Sequence, residues 1–136
     1  MKKVLSICFG LMMISNYAIS QHTLEIEISE IKNNEGNIML QLFDENEKVL
    51  AQEMGPIKDK KYVISIKNLK PGKYAVRYFH DENNNGQMET NTYGIPTEGF
   101  GFSNNATGTY GPPPFKEWLF ELKEDKKILL KPSYQN

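Results

Sequence analysis

The sequence predicts an all-β protein, an antiparallel two-sheet sandwich of about seven strands of immunoglobulin-like or transthyretin-like type. Three observations predict this fold. Short apolar–polar alternations recur along the chain, turn signals rich in Gly, Pro and Asn separate them, and no helical stripe longer than one turn occurs after residue 20. A small barrel is the alternative architecture, because it uses the same pattern of short strands.

Each predicted strand has its own local signal. The first alternates Leu24, Ile26 and Ile28 with polar residues, which is typical of a half-buried strand. The second is apolar at nearly every position, so we expect it to be buried on both faces. Turns are predicted at the Asn-rich segment 33–36 and at the Pro-Gly pair of residues 71–72. The expected strands are residues 24–29, 38–43, 49–53, 62–67, 73–80, 118–122 and 128–130.

The first 20 residues predict a cleavable secretory signal. Lys2 and Lys3 form a positive region, and the apolar run Val4–Ile14 is shorter than the roughly 20 residues that span a bilayer. Small residues at Ala18 and Ser20 place the cleavage site. We expect a signal peptide at 1–20 and a single β-sandwich domain at 21–136, either periplasmic or secreted. An N-terminal core helix or membrane anchor is the alternative.

Cleavage would also change the composition of the chain. It would remove Cys8, the only cysteine, and with it all thiol and disulfide chemistry. Lipid attachment at Cys8 is an alternative, although Ile7 stands where lipoprotein signals carry a small residue. Of 16 Lys and Arg, Lys2 and Lys3 would be lost against 17 Asp and Glu, which leaves a net charge of about −3. This charge argues against nucleic acid, no membrane span is expected after cleavage, and the expected partner is an unidentified envelope protein or glycan.

Oxygen-bearing side chains stand at alternate positions directly after the fifth predicted strand. Gly86 follows the third of them, where a sharp turn needs positive φ. The pattern is typical of the first nine positions of a calcium loop, but Thr92 stands where the twelfth position carries a bidentate Glu. With two carboxylates we expect weak calcium binding, with a Kd of about 10⁻⁴–10⁻³ M. The expected ligands are Asp81, Asn83, Asn85, the backbone carbonyl of Gln87, and Glu89.

Other interpretations of this loop stay open. It can be a turn held by Asx hydrogen bonds without a metal. A transition-metal site would depend on His80 alone. A hydrolase with Asp81 and Glu89 as acid and base is a further alternative, but carboxylates spaced like calcium ligands are a poor glycosidase signature. The sequence has no Ser/His/Asp arrangement and no phosphate-binding Gly loop, so we expect a non-enzymatic protein.

Residues 93–115 form an unusual segment with five Gly, four Pro and five aromatic residues in 23 positions. We expect a long ordered loop over 81–115, because so many aromatics disfavour disorder. Aromatic rings beside amides are what a carbohydrate or peptide ligand would use. The binding candidates are Phe100, Phe102, Asn104 and Asn105. The alternative is that these rings are core and the Asn side chains satisfy loop backbone.

Several segments together form an irregular string that covers much of the chain. They are Gly72–Val76, Phe79–Asn83, Asn85-Gly86, Glu89–Asn91, Gly94–Pro96, Glu98-Gly99, Gly101–Asn105 and Gly111–Pro113. This string resembles the domain-of-unknown-function 2141 family of exported bacterial proteins. The resemblance implies a β-sandwich in the bacterial envelope with no known activity. It also implies that the loop at Asp81 and the Phe100–Asn105 segment belong to one unit.

Overall fold

The computed structural model describes residues 18–135, in which eight strands form two sheets. Most of the predicted signal peptide, together with Cys8, lies outside these residues. The only helices in the described part of the chain are too short to cross a membrane. The strands are β1 His22–Ile28, β2 Asn37–Asp44, β3 Val49–Pro56, β4 Tyr62–Leu69, β5 Gly72–Asp81, β6 Phe100–Phe102, β7 Phe120–Leu122 and β8 Lys126–Leu130, with a 3₁₀ turn at Ser103–Asn105 and a helix α1 at Phe115–Trp118.

The two sheets differ in their pairing. The smaller sheet has the order β4-β1-β8, in which β1 pairs antiparallel with β4 and parallel with β8. The larger sheet has the order β3-β2-β5, and both β6 and β7 pair with the remaining edge of β5. β6 pairs with residues 77–79 of β5, and β7 pairs with residues 72–74. The predicted all-β, sandwich-like class is confirmed, with eight strands and one parallel pair.

The main core lies between the two sheets and follows the predicted alternation. In β1, Leu24, Ile26 and Ile28 are fully buried, and Ile38 and Leu42 of β2 meet them from the larger sheet. Full burial of one such side chain contributes roughly 1.5–3 kcal/mol to stability. These few strands therefore provide much of the driving force for folding.

A second apolar cluster covers part of the outer face of the larger sheet. It contains Phe43, Ala75, Phe102 and Trp118, with Phe115 packed beside them. The ring centroids of Phe102 and Trp118 are 4.5 Å apart. β2 is therefore covered on its second face near Phe43, whereas its outer positions 39 and 41 are only half-buried.

The expected strand over 118–122 was wrong in its first residues. Trp118 ends helix α1, and the strand begins at Phe120. The indole Nε1 of Trp118 donates a hydrogen bond to the carbonyl oxygen of Pro113 at 2.9 Å, which ties the helix to the preceding Pro-rich turn. Alternation over five residues did not reveal this short helix, because one helical turn has no period of its own to detect.

The segment 81–115 is ordered but not one long loop, since it contains β6 and the 3₁₀ turn. Ser103 begins that turn in the space between β6 and β7 and is fully buried. Its Oγ accepts a hydrogen bond from the Val76 backbone N–H at 2.9 Å and donates one to the carbonyl oxygen of Trp118. This hydroxyl therefore replaces the strand pairing that β5 lacks at Val76.

Candidate calcium loop and the Phe100–Asn105 segment

The loop begins where β5 ends, at Asp81, whose side chain is 1% exposed. The turn before β2 packs closely against this point. A Cβ atom at Gly36 would lie 1.9 Å from the carbonyl oxygen of Asp81, and Gly36 also has φ of +69°. Only glycine fits this contact, so the start of the loop is held at a defined position in the sandwich.

Asx hydrogen bonds turn the alternate side chains of the loop inward. The two carboxylate oxygens of Asp81 accept N–H bonds from Asn85 at 3.2 Å and from Gly86 at 2.8 Å. The amide oxygen of Asn83 accepts from the N–H of Asn85, and that of Asn85 accepts from the N–H of Gln87. Positions 81, 83 and 85 therefore each accept a backbone N–H of one tight turn, with Asp81 buried and Asn83 and Asn85 exposed.

Glu89 closes this turn from its far end. One carboxylate oxygen, Oε1, accepts hydrogen bonds from the side-chain amides of both Asn83 and Asn85. The ends of these three side chains therefore meet at one place. The side chains of Asp81, Asn83, Asn85 and Glu89 all form hydrogen bonds within this loop, whereas Gln87 contributes its backbone N–H and not the carbonyl oxygen that was predicted as a ligand.

A third carboxylate, that of Glu98, lies at the loop, and the sequence analysis did not predict it. Glu98 is 4% exposed, and its two oxygens accept the backbone N–H groups of Glu82 at 3.1 Å and Glu89 at 3.2 Å. Burial raises the pKa of Glu98, the two N–H bonds lower it in part, and the charges of Asp81 and Glu89 raise it further.

Glu98 reaches the loop through a small hairpin. Thr90 and Pro96 form an isolated antiparallel bridge, and the N–H of Thr97 donates to the carbonyl oxygen of Glu89 at 2.9 Å. The turn residues Asn91 and Gly94 were a signal for this hairpin. Hairpin pairing would have placed Thr97 opposite Glu89, with Glu98 as the next residue along the strand.

The residues fit a calcium ion in part. Each Asn amide oxygen accepts one N–H and keeps a second lone pair that a cation could use. Within residues 18–135, no three Asp, Glu, His or Cys side chains are placed to hold one metal ion, so amide and backbone oxygens would have to complete the ligands. Hard oxygens of this kind suit Ca²⁺ rather than a softer transition metal. The same hydrogen bonds also form a closed Asx turn.

His80 has no free nitrogen for a metal. It is fully buried, its Nε2 lies 2.6 Å from the carbonyl oxygen of Glu35, and its Nδ1 lies 2.9 Å from the hydroxyl of Tyr134. A carbonyl only accepts, so Nε2 donates and Nδ1 accepts from Tyr134. The Tyr134 oxygen in turn accepts the N–H of Lys32. His80 therefore joins the β1–β2 turn to the C-terminal segment.

The amides of the Phe100–Asn105 segment contact backbone. The side-chain nitrogen of Asn104 donates to the carbonyl oxygens of Glu117 and Leu119, and Asn105 accepts the N–H of Lys131 at 3.0 Å. These bonds join the 3₁₀ turn to α1 and to the end of β8.

The two rings of the segment differ. Phe102 is buried in the outer cluster, whereas Phe100 is half-exposed and reaches an open cleft. Of the four predicted ligand-binding residues, Phe100, Phe102 and Asn105 line this cleft and Asn104 does not.

The fold and the loop define a two-sheet β-sandwich with an Asp/Asn-rich turn at the end of its longest strand. A family model described as "Uncharacterized protein conserved in bacteria (DUF2141)" matches residues 26–129. The chain belongs to this family, and the suspected resemblance is confirmed. None of the curated proteins matches the chain. The matched range includes the whole Asp81 loop, Glu98 and the Phe100–Asn105 segment.

Proposed function

We propose that the chain is an exported, non-enzymatic β-sandwich module in which the loop from Asp81 to Glu89 binds a calcium ion as a structural element. One observation carries the calcium proposal. The side-chain ends of Asn83, Asn85 and Glu89 meet at one place beside the buried carboxylates of Asp81 and Glu98. The amide nitrogens of both Asn side chains face Glu89 in this arrangement, so calcium binding would require the two amides to turn their oxygens toward the ion.

The electrostatics of the loop also favour a cation. Among residues 18–135, no Lys, Arg or His forms an ion pair with Asp81, Glu89 or Glu98. Burial raises the pKa of Glu98, and the negative charges of Asp81 and Glu89 raise it further. A bound Ca²⁺ would offset this repulsion, which is the reason to expect a gain in stability on binding.

Export and the absence of catalysis have separate support. The Lys2-Lys3 pair, the short apolar run and the small residues before Gln21 favour a signal peptide. N-terminal sequencing of protein from the cell envelope should begin at Gln21, and a start at Met1 would contradict export by cleavage. Asp81 supports a structural role, because it is buried and both its oxygens accept backbone N–H bonds.

Thermal unfolding with and without calcium tests the metal proposal. For a Kd of about 1 mM, 10 mM CaCl₂ stabilises the native state by about 1.4 kcal/mol. This corresponds to a rise in Tm of about 5 °C for a domain of this size. We expect the rise in CaCl₂ and its reversal by EDTA, with MgCl₂ as the comparison ion. A Tm that is the same in CaCl₂ and EDTA would contradict calcium binding.

Two matched variants distinguish calcium binding at the Asp81 loop from a general effect of salt on the Tm. Glu89→Gln removes the carboxylate at the meeting point, so its Tm should no longer rise with calcium. Glu45→Gln removes an exposed carboxylate in a different turn and should keep the full rise. If both variants respond like the wild-type chain, calcium acts elsewhere and the assignment of the loop is wrong.

Ligand binding is the second candidate function, and the position of Phe100 favours it. Phe100 and Asn105 line the open cleft, whereas the Asn104 amide contacts backbone outside it, so a carbohydrate or peptide would meet Phe100 and not Asn104. A single-residue change tests this point. Phe100→Ala should weaken a bound ligand far more than Asn104→Ala, after both variants are checked for folding by circular dichroism.

A further inference from the structure

The outer face of the larger sheet forms the floor of a cleft of about 1220 Å³. Paired residues of four strands place their side chains in rows across this face. One row is apolar and runs through Met54, Met39, Phe79 and Phe100. Strands lie about 4.8 Å apart, so four residues in a row make an apolar stripe about 14 Å long.

A polar row lies beside this stripe. It contains Gln52, Gln41 and Arg77, two positions along each strand from the apolar row and therefore about 7 Å away. This row ends in an apolar residue, because Phe102 of the outer cluster is paired with Arg77. A ligand on this face therefore meets an apolar stripe with one cation beside it.

Two irregular segments also line this cleft. Residues of 88–96, in the hairpin after the Asp81 loop, form one of them, and residues 105–112 form the other. Tyr93 is 88% exposed and Tyr110 is fully exposed. Exposed Tyr side chains beside Met and Phe are typical of recognition surfaces, because such rings bury large areas with little entropy cost.

Arg77 is held in place but has no anionic partner. Its Nε donates to the Gln41 amide oxygen at 2.7 Å, and its Cζ lies 5.2 Å from the centre of the Phe43 ring. Within the part of the chain that the structure describes, no carboxylate forms an ion pair with it. The terminal guanidinium nitrogens are therefore free to bind a carboxylate of a ligand in a bidentate pair, which is the geometry that Arg favours.

We propose that this cleft binds an extended peptide segment that presents apolar side chains to the stripe and one carboxylate to Arg77. The stripe matches about four residues of an extended chain at 3.3 Å per residue. Met39 and Met54 give the floor an adaptable surface, as at other peptide-binding sites. The inference rests on the second candidate function, ligand binding, and does not require calcium.

The polar groups of the cleft favour a peptide over an acyl chain. Gln41, Gln52, Thr90 and Thr109 offer amides and hydroxyls that peptide groups can pair with. An acyl chain has no groups for such hydrogen bonds beyond its head. A neutral glycan has no carboxylate for Arg77, so the free guanidinium disfavours it.

The test is selection from a pool of random seven-residue peptides on the immobilised wild-type chain, in EDTA and again in CaCl₂. We expect enriched peptides that combine apolar residues with a carboxylate. Amidation of the terminal carboxyl, or Asp→Asn and Glu→Gln changes, should weaken the best peptide at least tenfold. Trp118, the only tryptophan in the sequence, lines the cleft, so we expect binding to change its fluorescence.

Matched variants locate the binding site. Arg77→Gln should weaken the best peptide at least tenfold and remove its preference for the carboxylate, whereas Lys73→Gln on the same strand should not. Met54→Lys places a charge on the stripe, and Val63→Lys is its control on the other sheet, with similar exposure. Only Met54→Lys should abolish binding.

Several results would overturn the proposal. Absence of enrichment in both buffers would exclude a peptide ligand, and binding of dodecanoate in place of peptides would assign the cleft to acyl chains. Equal binding by Arg77→Gln and the wild-type chain would remove the role of the carboxylate. Peptide binding in EDTA by a chain whose Tm ignores calcium would support this inference while the calcium proposal fails, so the two outcomes are distinguishable.

Discussion

The Ser103 hydroxyl should stabilise the edge of β5 between β6 and β7, where neither strand pairs with it. The substitution Ser103→Ala deletes one hydroxyl and leaves the backbone unchanged. It removes the acceptor of the Val76 N–H and the donor to the Trp118 carbonyl. Both partners lie in the buried region between β6, β7 and α1, where water cannot easily replace the hydroxyl.

The expected cost follows from these two bonds. A buried backbone group left without a partner costs about 1–3 kcal/mol, so two groups cost about 2–5 kcal/mol when partial relaxation is included. A domain of this kind has a total unfolding free energy of about 5–15 kcal/mol. Ser103→Ala should therefore remove a large fraction of the stability of the fold.

Urea unfolding followed by circular dichroism measures this loss. We expect a lower midpoint with an unchanged slope, since the substitution changes stability and not the surface exposed on unfolding. Ser65→Ala, an exposed position in β4, is the control and should change the unfolding free energy by less than about 0.5 kcal/mol. A loss below about 1 kcal/mol for Ser103→Ala would refute the role of its hydroxyl in replacing strand pairing.

The same chemical change at two tyrosines should have opposite consequences. Tyr134→Phe removes the hydroxyl that pairs with His80 and should lower the unfolding free energy by about 1–3 kcal/mol. Tyr78 is buried, and its hydroxyl has no hydrogen-bond partner in residues 18–135. Tyr78→Phe should therefore leave stability unchanged or raise it by about 1 kcal/mol, measured by the same urea titration, and a loss above 1 kcal/mol would mean that the hydroxyl is satisfied.

The strands with a clear period were predictable from the sequence. Leu24, Ile26 and Ile28 alternate with polar residues because one face of β1 meets the core and the other meets solvent, and this local signal needs no partner to be identified. β6 and β7 were not predicted correctly, because three residues are too few to show a period. Their pairing depends on the free edge of β5, which lies far from them in sequence.

The candidate sites were also predictable only where local sequence determines them. The inward turn of Asp81, Asn83 and Asn85 was predictable, since alternate Asx residues and a following glycine form it locally. The approach of Glu98 depends on a hairpin closed by a single bridge, and the free guanidinium of Arg77 depends on rows built from four strands. Such arrangements come from tertiary pairing, which the order of residues along one strand does not report.

The parallel pairing of β1 with β8 has a consequence for how the protein is made. Thr23 and Asp125, which are hydrogen-bonded beside this pair, are separated by 102 residues in the chain. The central strand of the smaller sheet therefore cannot gain its second neighbour until β8, at Lys126–Leu130, has been synthesised. Long-range pairing of this kind slows folding, which under the proposed export would keep the chain unfolded during translocation.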